Sequence, residues 1–158
     1  TERLVINSGA KSEKFVRNIY PSLPPQAFVH YGNFIGETLK IAAETGFRKV
    51  SMGIMIGKAV KLAEGHLDTH SKKVVMNKGF LKEIAIQCSC SNETLALIER
   101  MTLARELWGI SDRRDRDVLF NKLVQLCIAH CAPLLAEGEL TILLIDETGE
   151  ISYQLHSN

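Results

Sequence analysis

Surplus charge is the first thing this chain lacks. Nineteen Lys and Arg stand against eighteen Asp and Glu, leaving a formal charge of +1, so bulk electrostatics gives no reason to expect nucleic acid or a membrane surface as a partner. No apolar run approaches the length of a membrane span, and the N-terminus lacks a secretory-signal pattern; the expected location is cytoplasmic. The four cysteines, Cys88, Cys90, Cys127 and Cys131, therefore read as free thiols and not as a disulfide framework. There is no GxSxG elbow, no paired-carboxylate arrangement, no internal repeat and no low-complexity tract, which leaves nucleophilic hydrolase chemistry without support.

What the chain does have is enough apolar material, 46% of 158 residues, to bury one core, so residues 1–158 are expected to form one α/β domain. It opens on threonine and reads as a fragment, a processed product or one domain of something longer. Leu4-Val5-Ile6, Ala27 to Tyr31 and Lys49 to Ile56 are short strand-like runs that end in Gly9, Gly32 and Gly57. Helical patterns separate them, one after Ser8 or Ser12 and one from Asn33, its N-cap, to Thr45. That alternation predicts βαβ units in a Rossmann-like, mostly parallel sheet flanked by helices, with the three glycine turns on its carboxyl edge, where ligands of such sheets bind. Lys78–Cys88, Asn92–Trp108 and the stretch opened by Asp112–Asp117 read as amphipathic core helices, the last kinked or ended by Pro133. Leu140–Ile145 and Ile151–Leu155 then form a closing β-hairpin.

The stretch from Ser51 to Ser71 gathers glycine, lysine, histidine and hydroxyl groups behind a buried strand. Gly53 to Lys58 invites comparison with a phosphate loop, but only three residues separate Gly53 from Gly57-Lys58, and Ala59 stands where Ser or Thr would hold magnesium. Nucleoside triphosphate hydrolysis is therefore not expected, while a glycine turn opening a helix still leaves N–H groups for an anion. Lys58, Lys61, Lys72, Lys73, Lys78 and Lys82 form a locally basic stretch, either an ordinary solvated face or a positive field for a ligand with several carboxylates or phosphates. His66 and His70 stand four apart without the glutamate of a zinc-protease motif, so a hydrogen-bonding or acid–base role fits them better than a metal. Cys127 and Cys131 repeat at i,i+4 on an apolar face, where thiols act as small hydrophobes; with the looser Cys88, Cys90 and His130 they do not make a zinc pattern, and no metal site is expected. His30 reads as a structural residue.

Asn33-Phe34-Ile35-Gly36-Glu37, Gly46-Phe47, Ile56-Gly57-Lys58 with Lys61-Leu62-Ala63 and Gly65, and Thr69-His70-Ser71, in this order and spacing, resemble the CbiD family, the cobalt-precorrin-5B C(1)-methyltransferases of anaerobic cobalamin biosynthesis. Ile6-Asn7-Ser8-Gly9 through Phe15 and Thr141 to Gly149 resemble its flanking segments. The resemblance covers nearly this whole chain but only the C-terminal part of the family, which implies a separate N-terminal domain as partner. The family reads Gly-His-Ile-Gly-Lys where this chain has Ile54-Met55-Ile56-Gly57-Lys58, so a role of that histidine has no counterpart here. The resemblance implies methyl transfer from S-adenosylmethionine to a ring carbon of a cobalt-precorrin tetrapyrrole. On that reading Ser8, Gly9, Gly32 and Asn33 would hold the cofactor and Gly57, Lys58, Lys61 and His66 the substrate, with Thr69, His70 and Ser71 at the reacting face. The rival reading is a non-catalytic ligand-binding or docking domain that shapes part of a shared site. A homo-oligomer is compatible with either.

Overall fold

The computed structural model of the chain describes residues 2–69 and 76–157. In chain order it holds β1 (Arg3–Asn7), α1 (Ala10–Ile19), β2 (Phe28–His30), α2 (Ile35–Glu44), β3 (Lys49–Met55), α3 (Ile56–Ala63), α4 (Lys78–Gln87), α5 (Asn92–Arg100), α6 (Arg113–Cys131), β4 (Glu139–Ile145) and β5 (Ile151–His156). The strands form one sheet in the order β2-β1-β3-β4-β5. The first four run parallel and β5 returns antiparallel to β4. This is the mostly parallel α/β sheet with a terminal hairpin that the alternation predicts. The chain steps outward from β1 to β2, then crosses back over β1 to β3, so the topological switch point lies between β1 and β3.

Burial explains the strand sequences. β3 lies between β1 and β4 and is buried from Val50 to Ile54, which requires a nearly unbroken apolar run. At the sheet's edge, β5 alternates half-buried and exposed residues. Val5, Leu143 and Ile145 pack with Val16 of α1 on one face. Ile6, Met52, Ile54, Ile142 and Leu144 join the larger core on the other, with residues of α2, α3 and α6.

Two glycines set the α1 side. A Cβ on Gly53 would lie 2.5 Å from Val16 Cγ1, so α1 rests directly on the β3 backbone. Gly149 has φ +90 and a Cβ there would overlap the Phe15 ring, so the hairpin turn needs glycine both for its conformation and for its packing against α1.

Several boundaries differ from expectation. The second strand is only Phe28–His30, because Pro25–Ala27 forms a 3₁₀ turn. Phe34, not Asn33, occupies the N-cap of α2. Ser12 lies inside α1, where its hydroxyl accepts the Ser8 and Gly9 N–H groups. The expected helix over Asn92–Trp108 stops at Arg100, because Met101 turns to an extended conformation; a 3₁₀ segment, Ala104–Gly109, follows. Pro133 falls in the 3₁₀ turn Ala132–Leu135 and ends α6. Contrary to the expectation about apolar runs, Arg113–Leu135 is long and apolar enough to cross a membrane by length and composition. Asn121, Lys122, Gln125 and His130 interrupt its apolar residues. Here Leu119, Phe120, Leu123, Val124, Cys127 and Cys131 of that helix are buried in the protein core.

Candidate functional site

The carboxyl edge of the sheet carries two groups of residues. The first forms where the loop after β2 meets the segment after α3. Phe34 and Asp68 form an antiparallel bridge, Thr69 N–H donates to Asn33 O at 2.9 Å and Gly36 N–H to Leu67 O at 3.3 Å. This short zipper brings Gly32, Asn33 and Thr69, far apart in sequence, to one place. Lysines of α3 brace it: Lys58 Nζ donates to Gly32 O, and Lys61 Nζ reaches Thr69 O at 3.5 Å. Burial, with Lys61 beside it, holds the Lys58 ammonium below the ordinary lysine range. Lys58 also lies 5.4 Å from the centre of the Tyr31 ring, and Tyr31, itself buried, donates to Gly53 O at 2.9 Å.

Five predicted residues, Gly32, Asn33, Lys58, Lys61 and Thr69, therefore converge. The others behave differently. His66 pairs with Glu64, Nε2 to Oε2 at 3.7 Å, with its side chain 43% exposed. His70 and Ser71, like Lys72 and Lys73, lie outside the described residues. Lys78 donates to the Glu99 and Met101 carbonyls at the end of α5, and Lys82 to the Glu99 carboxylate, so these two members of the basic stretch are engaged at α5. His30 is exposed and bonded to Glu13 at 3.0 Å. Cys127 and Cys131 are buried apolar thiols, as expected. Among the described residues no group of three His, Cys, Asp or Glu is assembled to hold a metal ion.

The second group lies at the switch point and beyond it. Asn7, at the end of β1, is fully buried; its Oδ1 accepts Gly9 N–H at 3.1 Å and the Ser12 hydroxyl at 3.3 Å. Among the described residues its Nδ2 has no partner, and Thr69 Oγ1 in the first group has none either. Buried polar atoms are normally paired, so each is a standing vacancy for a hydrogen bond. Beyond Asn7, at the ends of β3 and β4, lies a cleft of about 420 Å³. Met55, Ile56 and Ile145 line it, with Trp108 beside them, and Gly57 opens α3 at its margin. Met55, the position where the sequence departs from the family pattern, thus faces this cleft. Lys11, Arg105 and Glu147 complete the lining. Another cavity, of about 360 Å³, lies by the α2–β3 turn and the Pro133–Gly138 segment, at the opposite edge of the sheet.

Asn7 and the charged lining of the cleft escaped sequence reasoning, since they come from four separate segments. One local signal existed. Lys11 stands in the first turn of α1, where a cation opposes the helix dipole and so has no role in stabilising the helix.

Residues 68–155 match the family described as CbiD, C-terminal domain. A Prosthecochloris aestuarii protein is 35% identical over 143 residues, covering 90% of this chain and 39% of its own length. One from Geobacillus sp. strain WCH70 is 35% identical over 143 residues, with 89% and 38% covered. A Priestia megaterium protein is 31% identical over 137 residues, with 87% and 37% covered. All three are named cobalt-precorrin-5B C(1)-methyltransferase, and the chain spans about two-fifths of their length. No solved structure matches.

Proposed function

Because the chain belongs to the CbiD family, we propose that it forms the C-terminal part of an enzyme that transfers a methyl group from S-adenosylmethionine to a ring carbon of cobalt-precorrin-5B, in the cytoplasm and within anaerobic cobalamin biosynthesis. The observation that carries this reading is the family match, which includes Thr69, Arg105, Trp108 and Glu147, together with relatives that share one activity name. S-adenosylmethionine supplies, when bound, a methyl group already activated by its sulfonium. The protein's task is then alignment of donor and acceptor carbon, for which no nucleophilic residue is needed.

The residues present fit that division of labour. Asn7 Nδ2, orphaned beside Ser8 and Gly9, offers a buried donor to the cofactor at the switch point. Gly32 and Asn33 of the neighbouring loop have their carbonyls engaged by Lys58 and by the Thr69 N–H. Lys58 and Lys61 each give one proton to a main-chain carbonyl; an ammonium has three, and the remaining ones face the acetate and propionate groups of the macrocycle, with Gly57 and His66 alongside. Thr69, whose hydroxyl has no partner among the described residues, is assigned to the reacting face, with His70 and Ser71 next to it in sequence.

A second reading has its own support. The lysines brace loops, and the chain spans only two-fifths of its relatives, as a domain that shapes part of a shared site would. The deciding experiment measures methyl transfer to cobalt-precorrin-5B by the chain alone and by the protein extended to the family's full length, with calorimetry of S-adenosylhomocysteine binding. Transfer by the extended protein is expected. Binding without transfer in either form leaves the docking reading, and the absence of both overturns the methyltransferase reading.

A further inference from the structure

We infer that the cleft at the ends of β3 and β4 holds the amino-acid end of the methyl donor, its carboxylate at Lys11 and Arg105 and its ammonium at Glu147. The inference rests on the methyltransferase reading and places the cofactor away from Gly32 and Asn33, which the sequence groups with it.

Three observations carry it. First, Lys11, Arg105 and Glu147 all line the cleft, yet none has a hydrogen bond or ion pair to any described residue. At the zipper, by contrast, the cations are engaged, Lys58 and Lys61 on main-chain carbonyls. Two cations and one carboxylate around an apolar floor complement a zwitterion, the chemistry of a free α-amino acid group. A tetrapyrrole bearing only carboxylates would leave Glu147 without a counter-charge, and adenine and ribose carry no charge for any of the three.

Second, the cleft has the size of a small-molecule site, with Met55, Ile56 and Ile145 as an apolar floor beneath the charged side chains of Lys11, Arg105 and Glu147. Its wall is rigid. Trp108 stacks on the buried Phe120 with ring centres 4.4 Å apart, and Phe120 lies 5.2 Å from Tyr153. Third, Asn7 lies on the same face of the sheet as Ile145 of this floor: a Cβ on Gly53 would be 3.9 Å from Asn7 Cβ and 3.3 Å from Ile145 Cδ1. Its amide, buried and without a partner among the described residues, stands four residues before Lys11 in the chain.

Trp108 is the chain's one tryptophan, so its fluorescence reports occupancy directly. Titration with S-adenosylhomocysteine is expected to change that emission, and 5′-methylthioadenosine, which lacks the amino-acid end, to bind at least about tenfold more weakly. Lys11→Ala, Arg105→Ala and Glu147→Gln should each weaken S-adenosylhomocysteine about tenfold, the scale of one charge-assisted hydrogen bond, and leave methylthioadenosine unchanged. All three positions are exposed, so the variants keep the fold, which circular dichroism checks. Equal affinity for the two ligands, or S-adenosylhomocysteine binding undiminished by all three substitutions, overturns the assignment while the methyltransferase reading stands. Failure of the wild-type chain to bind S-adenosylhomocysteine, by fluorescence and by calorimetry, overturns the assignment, and only failure of transfer as well removes the broader reading.

Discussion

The two ends of the carboxyl edge use positive charge in opposite ways. On the β2 side, Lys58 and Lys61 point inward onto the carbonyls of Gly32 and Thr69 and hold two loops against each other. On the β4 side, Lys11 and Arg105 line an open cleft and bond to nothing described. A lysine after a glycine turn looks like a ligand group in sequence, and one in the first turn of a helix looks like surface. In the structure the first pair already holds main-chain carbonyls, while the second pair lines the cleft with no bond to a described residue. What a cation does is decided by whether the backbone has already claimed it.

Gly53 joins the two regions, and altering it should produce the largest effect. Its carbonyl accepts the Tyr31 hydroxyl on the clamp side, and its missing Cβ admits Val16 on the cleft side. Gly53→Ala is expected to lower stability by about 1–3 kcal/mol through overpacking and to weaken ligand-induced change in Trp108 emission as well. Thermal denaturation with the fluorescence titration checks both; an unchanged midpoint would mean that α1 shifts freely and that the two regions are not coupled there. Lys58→Met should separate them. Loss of its bond to Gly32 O costs about 1 kcal/mol, read as a lower denaturation midpoint, while S-adenosylhomocysteine affinity in the cleft stays as it was. A matching loss of affinity would show that the clamp and the cleft are one site.

The smallest effect concerns acid. Burial pushes the Asp146 carboxyl up, but hydrogen bonds from Ser152, Thr148 and the Glu150 N–H outweigh it and hold the group below the usual aspartate range. A carboxylate with a depressed folded pKa contributes stability that is present above its unfolded pKa, about 3.9, and is lost as pH falls through the folded value. The turn that carries Glu147 should therefore loosen below about pH 4, and Asp146→Asn should flatten that part of the stability–pH curve. An identical acid limb in the two proteins would remove Asp146 from the account.

Much of the fold was legible because each local signal agreed with the global arrangement. Strand, glycine and helix alternate three times before Gly65, and the unbroken apolar runs of β3 and β4 fit their places inside the sheet. The overlong helix after Asn92 was not legible, since Leu103 and Leu107 continue an apolar spacing while the backbone at Met101 has already turned extended. The site was half legible. Residues near one another in sequence, such as Gly57, Lys58 and Lys61, could be grouped by spacing. The zipper between Asn33 and Thr69 and the meeting of Lys11, Arg105 and Glu147 are products of tertiary contact, which spacing does not encode.

The pairing of β3 with β4 has a kinetic consequence. Its register sets Lys49 against Glu139 and Met55 against Ile145, on the order of ninety positions apart. Closing so long a loop precedes any gain from the pairing, so this parallel seam forms late and slowly compared with the β4–β5 hairpin. The cleft straddles that seam and exists only once it has closed. A ligand seated there discriminates the finished protein from every partly folded form, and by binding only the former it stabilises the slowest step's product in proportion to its concentration.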